Sequence, residues 1–185
     1  MKNHILVAIK MLLLMTVFTG LIYTLFITGI SQLVFPKKAN GSIIQNIGSE
    51  FIGQKFTSDK YFWSRPSATD YNPLPSGGSN LGMTSKKLQD TALAITNHFA
   101  VKNEIPKNST IPNEMIFSSA SGLDPHISIQ AANLQVKRIA KARNISESQI
   151  LQIIIQLKEN RQFFILGEER INVLLLNLEL DKLSK

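Results

Sequence analysis

Apolar residues in this chain form one long uninterrupted run near the amino end and several shorter periodic runs behind it. Residues 11–36 contain no Asp, Glu, Lys, Arg or His and are mostly Leu, Ile, Val, Phe and Met. Because about 20 apolar residues in a helix cross the hydrocarbon core of a bilayer, Met11–Ile30 predicts a membrane span. Bulky and charged residues at 35–38 replace the small residues of a signal-peptide cleavage site, so we expect the span to be retained.

The shorter runs behind the span predict a mainly helical domain. Apolar residues spaced by three and four positions indicate helices, of which one follows a Ser128 cap and one opens on a capping box at Ser146. The last apolar run is long enough to favour a helix over a buried strand. The predicted helices cover Lys87–Ala100, Ser128–Arg143, Ser146–Asn160 and Ile171–Leu183, and short strands are predicted at Phe56–Trp63 and Met115–Ser119.

These elements predict an α+β chain with two parts. Residues 1–36 hold the amino-terminal segment and the single transmembrane helix, and residues 37–185 form one compact domain that is mainly helical with a few short strands. The domain is long enough to bury a core of its own. The lack of cysteine is compatible with an extracytoplasmic domain, but it shows only that no disulfides are used.

Small residues recur every four positions in the predicted span. Thr16, Gly20, Thr24 and Thr28 fall on one slowly drifting stripe of a helix. Such a stripe predicts a packing face against a helix of a partner protein; alternatively, these residues are merely tolerated in the membrane. Residues 11–36 contain no Asp, Glu, Lys, Arg or His, so the span has no obvious ion site of its own and does not predict a pore or pump.

An irregular segment, residues 64–85, is rich in Pro, Gly, Ser and Asn. Loops of this length are uncommon in compact domains unless they have a function. Ser76–Asn80 reads Ser-Gly-Gly-Ser-Asn, which is compatible with a nest of backbone amides for phosphate. No lysine follows this run, so we favour a tight loop that uses glycine for its backbone freedom.

The charge pattern argues against nucleic-acid binding. The net charge is +7, but the 20 Lys and Arg residues are scattered along the sequence.

The motifs argue against a catalytic role. No P-loop, phosphorylated-aspartate motif or hydrolase nucleophile motif is present. Asp124 and His126 could hold a metal or transfer protons, but Asp-Pro more often opens a helix, with the aspartate as cap. We therefore expect no catalytic residue and no metal site.

Two long stretches carry a resemblance to a known family. One covers residues 61–82, from Tyr-Phe-Trp-Ser-Arg-Pro to Ser-Gly-Gly-Ser-Asn-Leu-Gly, and the other covers residues 121–128, Ser-Gly-Leu-Asp-Pro-His-Ile-Ser. Shorter matches follow at Gln135, Val136, Arg138, Ala140, 166–168, 172–174 and 176–178. With its single amino-terminal span, the chain resembles the C subunits of the Kdp potassium-transporting P-type ATPases over nearly its whole length.

The resemblance implies a non-catalytic accessory subunit in a bacterial plasma membrane complex. In such complexes a P-type subunit hydrolyses ATP and a channel-like subunit takes up potassium, with a small single-span subunit as a further partner. The C subunit is described as a catalytic chaperone that raises the ATP affinity of the P-type subunit and supports assembly. The resemblance also implies a cytoplasmic amino terminus and an extracytoplasmic domain.

That topology separates the domain from cytoplasmic ATP, so any effect on ATP affinity would be indirect and the chain would bind no cofactor itself. The loops 64–85 and 121–128 would then dock on the channel-like subunit or brace each other, with Asp124, His126, Asn172 and Asn177 as a structural motif. The alternative is a regulator that binds nucleotide directly. Its site would be the Ser76–Asn80 loop (Ser76, Gly77, Gly78, Ser79 and Asn80), with Arg65 as the partner of the phosphates.

Overall fold

The structure is a computed structural model, and it describes residues 2–44 and 47–183. The chain forms two compact units, an amino-terminal unit (Met1–Ser49) and a carboxy-terminal unit (Glu50–Lys185). A long apolar helix fills most of the first unit, and short helices with a few short strands build the second. This architecture confirms the predicted fold class.

One continuous helical stretch dominates the amino-terminal unit. Helix α1 covers Lys2–Met15, a π-helical segment covers Thr16–Tyr23, and helix α2 covers Thr24–Val34. The stretch Asn3–Val34 is long and apolar enough to cross a membrane, with a mean hydropathy of 2.4, and it is exposed along its length. The unit ends with the short helix α3 (Pro36–Ala39) and an antiparallel pair of strands, β1 (Ile43–Ile44) and β2 (Gly48–Ser49).

The carboxy-terminal unit begins with irregular chain and becomes helical at residue 86. Ser85 caps the first helix, α4, by accepting a hydrogen bond from the Leu88 amide. The elements in order are α4 (Lys86–Lys102), a 3₁₀ turn (Asn113–Met115), β3 (His126–Ile127), α5 (Ile129–Asn133), α6 (Val136–Arg143), α7 (Glu147–Leu157), β4 (Ile171–Asn172) and α8 (Val173–Leu183). Strands β3 and β4 pair antiparallel, so that His126 lies opposite Asn172.

The core of this unit lies between its short helices and the β3–β4 pair. Helix α7 supplies the inward stripe that its sequence predicts, with Ile150, Ile153 and Ile154 buried and Leu157 packed against them. The same cluster includes apolar residues of α5, α6, β3, β4 and α8, together with Phe62, Phe99 and Met115. Burial of such side chains is the main contribution to the stability of a domain of this size.

Local signals placed two helix starts correctly. Ser128 and Ser146 cap α5 and α7, and at Ser146 the complete capping box with Gln149 forms. The helix predicted for residues 128–143 is instead divided, because the Gln135 amide bonds to the Ala132 carbonyl, three residues back rather than four. The helix predicted to reach Asn160 ends at Leu157, since Lys158 adopts an extended conformation.

The two predicted strands are wrong. Met115 ends the 3₁₀ turn with its side chain buried in the core, and residues 116–119 follow as irregular chain. Phe56–Trp63 is also irregular, although Phe62 is fully buried. Side-chain amides of Asn177 and Gln135 satisfy the backbone at Phe62 and Trp63, so this segment needs no neighbouring strand.

Candidate functional site

The loops 64–85 and 121–128, which we call the paired loops, are joined by an ion pair. The guanidinium Nη1 of Arg65 donates to Oδ2 of Asp124 at 2.7 Å, although the two residues are 59 positions apart. The carbonyl of Arg65 in turn accepts a 2.6 Å hydrogen bond from the Tyr71 hydroxyl, so the arginine is held from both ends. Burial and the nearby Asp70 carboxylate raise the pKa of Tyr71 to about 12.

Glycine allows the paired loops to approach each other closely. Gly122 has φ +70°, and a Cβ added there would lie 2.8 Å from the Thr69 hydroxyl and 3.0 Å from the Gly77 carbonyl. The Gly77 amide donates to the Ser121 carbonyl at 3.0 Å. This amide belongs to the run considered above as a phosphate nest, and here it bonds within the protein. The geometry therefore supports the bracing role of the paired loops.

Asp124 lies at the centre of the polar contacts of this region. Burial raises the pKa of its carboxyl, but hydrogen bonds from the His126 side chain and amide and from Arg65, together with the Arg65 charge, outweigh that effect and lower the pKa from 3.8 to about 2. The predicted helix-capping role is corrected: Asp124 Oδ1 accepts from the His126 amide at 3.0 Å, and Ser128 caps the helix instead.

His126 lies between two carboxylates. Its Nδ1 is 3.6 Å from Asp124 Oδ1, and its Nε2 is 3.6 Å from Glu159 Oε1. The ring borders a cavity of about 280 Å³ whose lining includes Arg65, Glu114 and Arg170. Two ion pairs involve residues of this lining, Arg65 with Asp124 and Arg170 with Glu159, an arrangement typical of a structural polar network.

Two buried asparagines of the predicted structural motif form hydrogen bonds with the backbone. Asn172 donates to the Glu50 carbonyl at 2.6 Å and accepts from the Leu175 amide, so it caps α8. Asn177 contacts the backbone of Phe62 twice: its Oδ1 accepts from the Phe62 amide at 2.8 Å and its Nδ2 donates to the Phe62 carbonyl at 3.0 Å. The side chain of Asn177 thus replaces a neighbouring strand at this point.

Sequence reasoning assigned no role to two buried polar residues beside Trp63. Gln135 Oε1 accepts from the Trp63 amide at 2.8 Å and from Arg138 at 2.9 Å. The Arg138 guanidinium stacks 4.1 Å from the centre of the Trp63 ring and donates to the Asn103 side chain and the Asp59 carbonyl. Burial lowers the pKa of Arg138 to about 10. Gln135 and Arg138 stand among the apolar residues of α5 and α6 in the sequence, and this position is the signal that could have identified them as buried polar residues.

The π-helical segment reduces the angular spread of the four small residues around the axis of the apolar helix. In an α-helix each step of four residues advances the stripe by about 40°. The π-helical segment has more residues per turn, so the same step of four residues falls short of a full turn there and moves the stripe back. Thr16 and Thr28 therefore lie closer in angle than they would on an uninterrupted α-helix. The Thr24 hydroxyl donates to the Gly20 carbonyl at 2.6 Å, so its hydrogen is already bonded within the helix.

A pH-dependent loss of stability is expected at Asp124. Because its folded-state pKa lies below the usual unfolded value of about 3.9, Asp124 contributes fully above about pH 4, and this contribution is lost as the pH falls toward about 2. Allowing for partial solvent screening, we expect Asp124→Asn to cost about 1–2 kcal/mol at pH 7 and little near pH 2. Denaturant unfolding of the full chain in detergent, monitored by Trp63 fluorescence, measures the difference.

Asp70→Asn is the matched control for this measurement. Asp70 pairs with Lys55 at 2.6 Å, but its side chain is largely exposed, so its removal should change stability by less than about 0.5 kcal/mol at any pH. A cost for Asp124→Asn that stayed constant between pH 7 and pH 2 would contradict the ion-pair account.

Comparison with known proteins gives matches along almost the whole chain. The family model described as "KdpC: K+-transporting ATPase, c chain" matches residues 5–182. A potassium-transporting ATPase KdpC subunit from Geobacter metallireducens is 46% identical, with 98% of this chain and 99% of the relative covered. KdpC subunits from Polynucleobacter asymbioticus and Bradyrhizobium diazoefficiens are 45% and 44% identical over 98% of this chain, with 99% and 98% of the relatives covered. The chain therefore belongs to the KdpC family, the c chains of K+-transporting ATPases.

Proposed function

We propose that this chain is a non-catalytic accessory subunit that joins the larger subunits of a potassium-transporting ATPase in a bacterial plasma membrane. The apolar helix Asn3–Val34 is the observation that carries the proposal, because its exposed side chains are available to lipid and to helices of other subunits. In this proposal the helix packs against a partner through the stripe at Thr16, Gly20, Thr24 and Thr28. The partners are the channel-like subunit and the P-type subunit, with a small single-span subunit as a further neighbour.

In the proposed arrangement the amino terminus is cytoplasmic and the carboxy-terminal unit is extracytoplasmic. The chain then raises the ATP affinity of the P-type subunit without touching ATP, through a coupling free energy between distant sites. The internal hydrogen bond of the Gly77 amide supports an indirect effect, because that amide is occupied within the paired loops. ATP is a ligand of the complex in this account and not of the chain.

Comparison of complexes purified with and without this chain tests the indirect effect. We expect the KM for ATP of the P-type subunit to rise about tenfold when the chain is absent, within the usual range of coupling between sites. A photoreactive ATP analogue should label the P-type subunit and leave this chain unlabelled. An unchanged KM would refute the chaperone role, and labelling of the Ser76–Asn80 loop would instead favour direct nucleotide binding.

Reporter enzymes fused at the carboxy terminus test the topology separately. Activity of a reporter that works only outside the cytoplasm is the expected result. Activity of a cytoplasmic reporter would place the carboxy-terminal unit beside ATP and overturn the proposed orientation, while leaving a role in assembly intact.

A further inference from the structure

An exposed apolar tip lies on a hairpin of the carboxy-terminal unit that the proposed function does not use. The hairpin, residues 158–170, follows α7 and leads back into β4. Its two arms pair through hydrogen bonds in both directions between Glu159 and Arg170, at 2.9 and 3.1 Å. Its tip consists of Phe163, Phe164, Ile165 and Leu166, which are 83%, 92%, 77% and 58% exposed. Four consecutive exposed apolar residues are rare on a soluble surface unless they serve an interaction.

The backbone of the tip is held in an uncommon conformation. Phe163 and Phe164 have φ values of +51° and +65°, in the left-handed region that bulky residues seldom adopt. The Gln162 amide donates to the Leu166 carbonyl at 2.8 Å, and this bond closes the turn. A turn with a strained backbone and exposed phenyl rings is a candidate for a contact with a partner. Such a contact would bury the rings, and its binding energy would offset the cost of the strain.

The two arms of the hairpin carry charged side chains, but their net charge is zero. Three ion pairs connect the two arms: Lys158 with Glu169 at 3.0 Å, Arg161 with Glu168 at 2.6 Å, and Arg170 with Glu159 at 2.9 Å. These three basic and three acidic residues cancel, so the hairpin has no net attraction for anionic lipid headgroups. Residues 158–170 also contain no Trp or Tyr, the residues that favour the membrane interface. The tip is apolar and the charges on the two arms cancel. The hairpin therefore matches an uncharged concave socket on a protein better than a bilayer surface.

We infer that the hairpin tip 163–166 inserts into an uncharged apolar socket on a larger subunit of the complex. This inference rests on the proposed role as an accessory subunit and deepens it by assigning a contact surface outside the paired loops and the apolar helix. The closed turn and the three ion pairs hold the hairpin in shape before binding, which reduces the entropy lost on docking. The two phenyl rings are the anchors of this contact, as aromatic side chains at the centre of interfaces usually are.

A single fluorophore on the tip reports its surroundings. The natural sequence has no cysteine, so Phe164→Cys provides one labelling site for a polarity-sensitive dye. We expect the dye to be open to a water-soluble quencher when the full chain is alone in a lipid nanodisc, and to be protected in the assembled complex. Val101→Cys is the matched control, since Val101 is 77% exposed on α4, outside the hairpin and the paired loops, and its dye should stay open to the quencher in both states.

The other outcomes overturn the inference in distinguishable ways. Protection in the nanodisc without partner subunits, together with quenching by spin-labelled lipid, would show that the tip enters the bilayer. Quencher access in both states would show that the tip binds nothing. In the second case the proposed accessory role would still stand if the labelled chain purified with its complex, so the two failures are separable.

A double substitution tests how much the contact contributes to assembly. In Phe163→Asn/Phe164→Asn the phenyl rings are lost, while asparagine tolerates the left-handed backbone, so the turn should be kept. We expect about tenfold less of the larger subunits to be retained by the tagged chain, as for the loss of two central interface aromatics. Val101→Asn should retain them normally, and unchanged Trp63 fluorescence should report a folded core for both variants. Equal retention by the two would refute the inference.

Discussion

Replacement of Asn177 by leucine should unfold the carboxy-terminal unit more readily than any other single change considered for this chain. The side chain is buried, and it is bonded to both the amide and the carbonyl of Phe62, which is itself fully buried. Leucine has a similar size but cannot form either bond, so both backbone groups of Phe62 lose these partners. The expected cost is about 2–4 kcal/mol, from the penalty of about 1–3 kcal/mol for each unsatisfied buried group, reduced by the apolar burial of leucine.

The single tryptophan of the sequence is a direct reporter for this change. Trp63 follows Phe62 in the chain, and its own amide bonds to Gln135. Thermal unfolding of the full chain in detergent, followed by Trp63 fluorescence, should show a Tm lower by roughly 10 °C. Asn97→Leu is the control, because Asn97 is exposed on α4 and should change the Tm little. Similar Tm values for the two variants would mean that the Asn177 bonds contribute nothing to stability.

Gly20→Leu should separate this chain from its complex without disturbing the chain itself. A Cβ added at Gly20 meets no atom within 4 Å, so the helix has room for a larger side chain. Where a partner helix packs on Gly20, leucine would hold the two backbones apart. Because the π-helical segment reduces the angular spread of the stripe, Thr16 and Thr28 lie near one line along the helix. This arrangement favours contact with a single straight partner helix. We expect about tenfold less channel-like subunit to follow the tagged variant, equivalent to about 1.4 kcal/mol.

Gly29→Leu is the matched control for that experiment. Gly29 also has open space around it, and it lies about 100° from its neighbour Thr28 on the stripe. The two variants add the same side chain to the same helix, so they differ only in the face that they enlarge. If both retained the channel-like subunit equally well, the stripe would have no packing role.

Elements specified by neighbouring residues could be predicted from the sequence, and elements specified at long range could not. The cap at Ser128 and the box at Ser146 depend on residues within one turn of helix, and both form as expected. The strand predicted at Phe56–Trp63 was wrong because its backbone partners are side chains more than 70 positions away. The apolar run of residues 163–166 is visible in the sequence, but its exposure is visible only in the structure.

For the candidate site, too, the sequence could identify residues but not the long-range contacts between them. Arg65 and Asp124 each stand in a distinctive motif, but nothing in either motif indicates that they pair across 59 residues. Gln135 and Arg138 could be recognised as polar residues on an apolar helix face, but not as the support of Trp63, because that role depends on how α5 and α6 pack against an irregular segment. Sequence patterns thus identified the residues of the paired loops, and the tertiary contacts supplied what connects them.

The bonds between Phe62 and Asn177 also bear on how this protein matures. They span 115 positions, so the middle of the core has no complete set of backbone partners until helix α8 has left the ribosome. A growing chain that does not yet include α8 is therefore expected to stay open and sensitive to proteases. On this view α8 completes the fold of the carboxy-terminal unit, and truncations before Val173 should be as damaging as truncations in the middle of that unit.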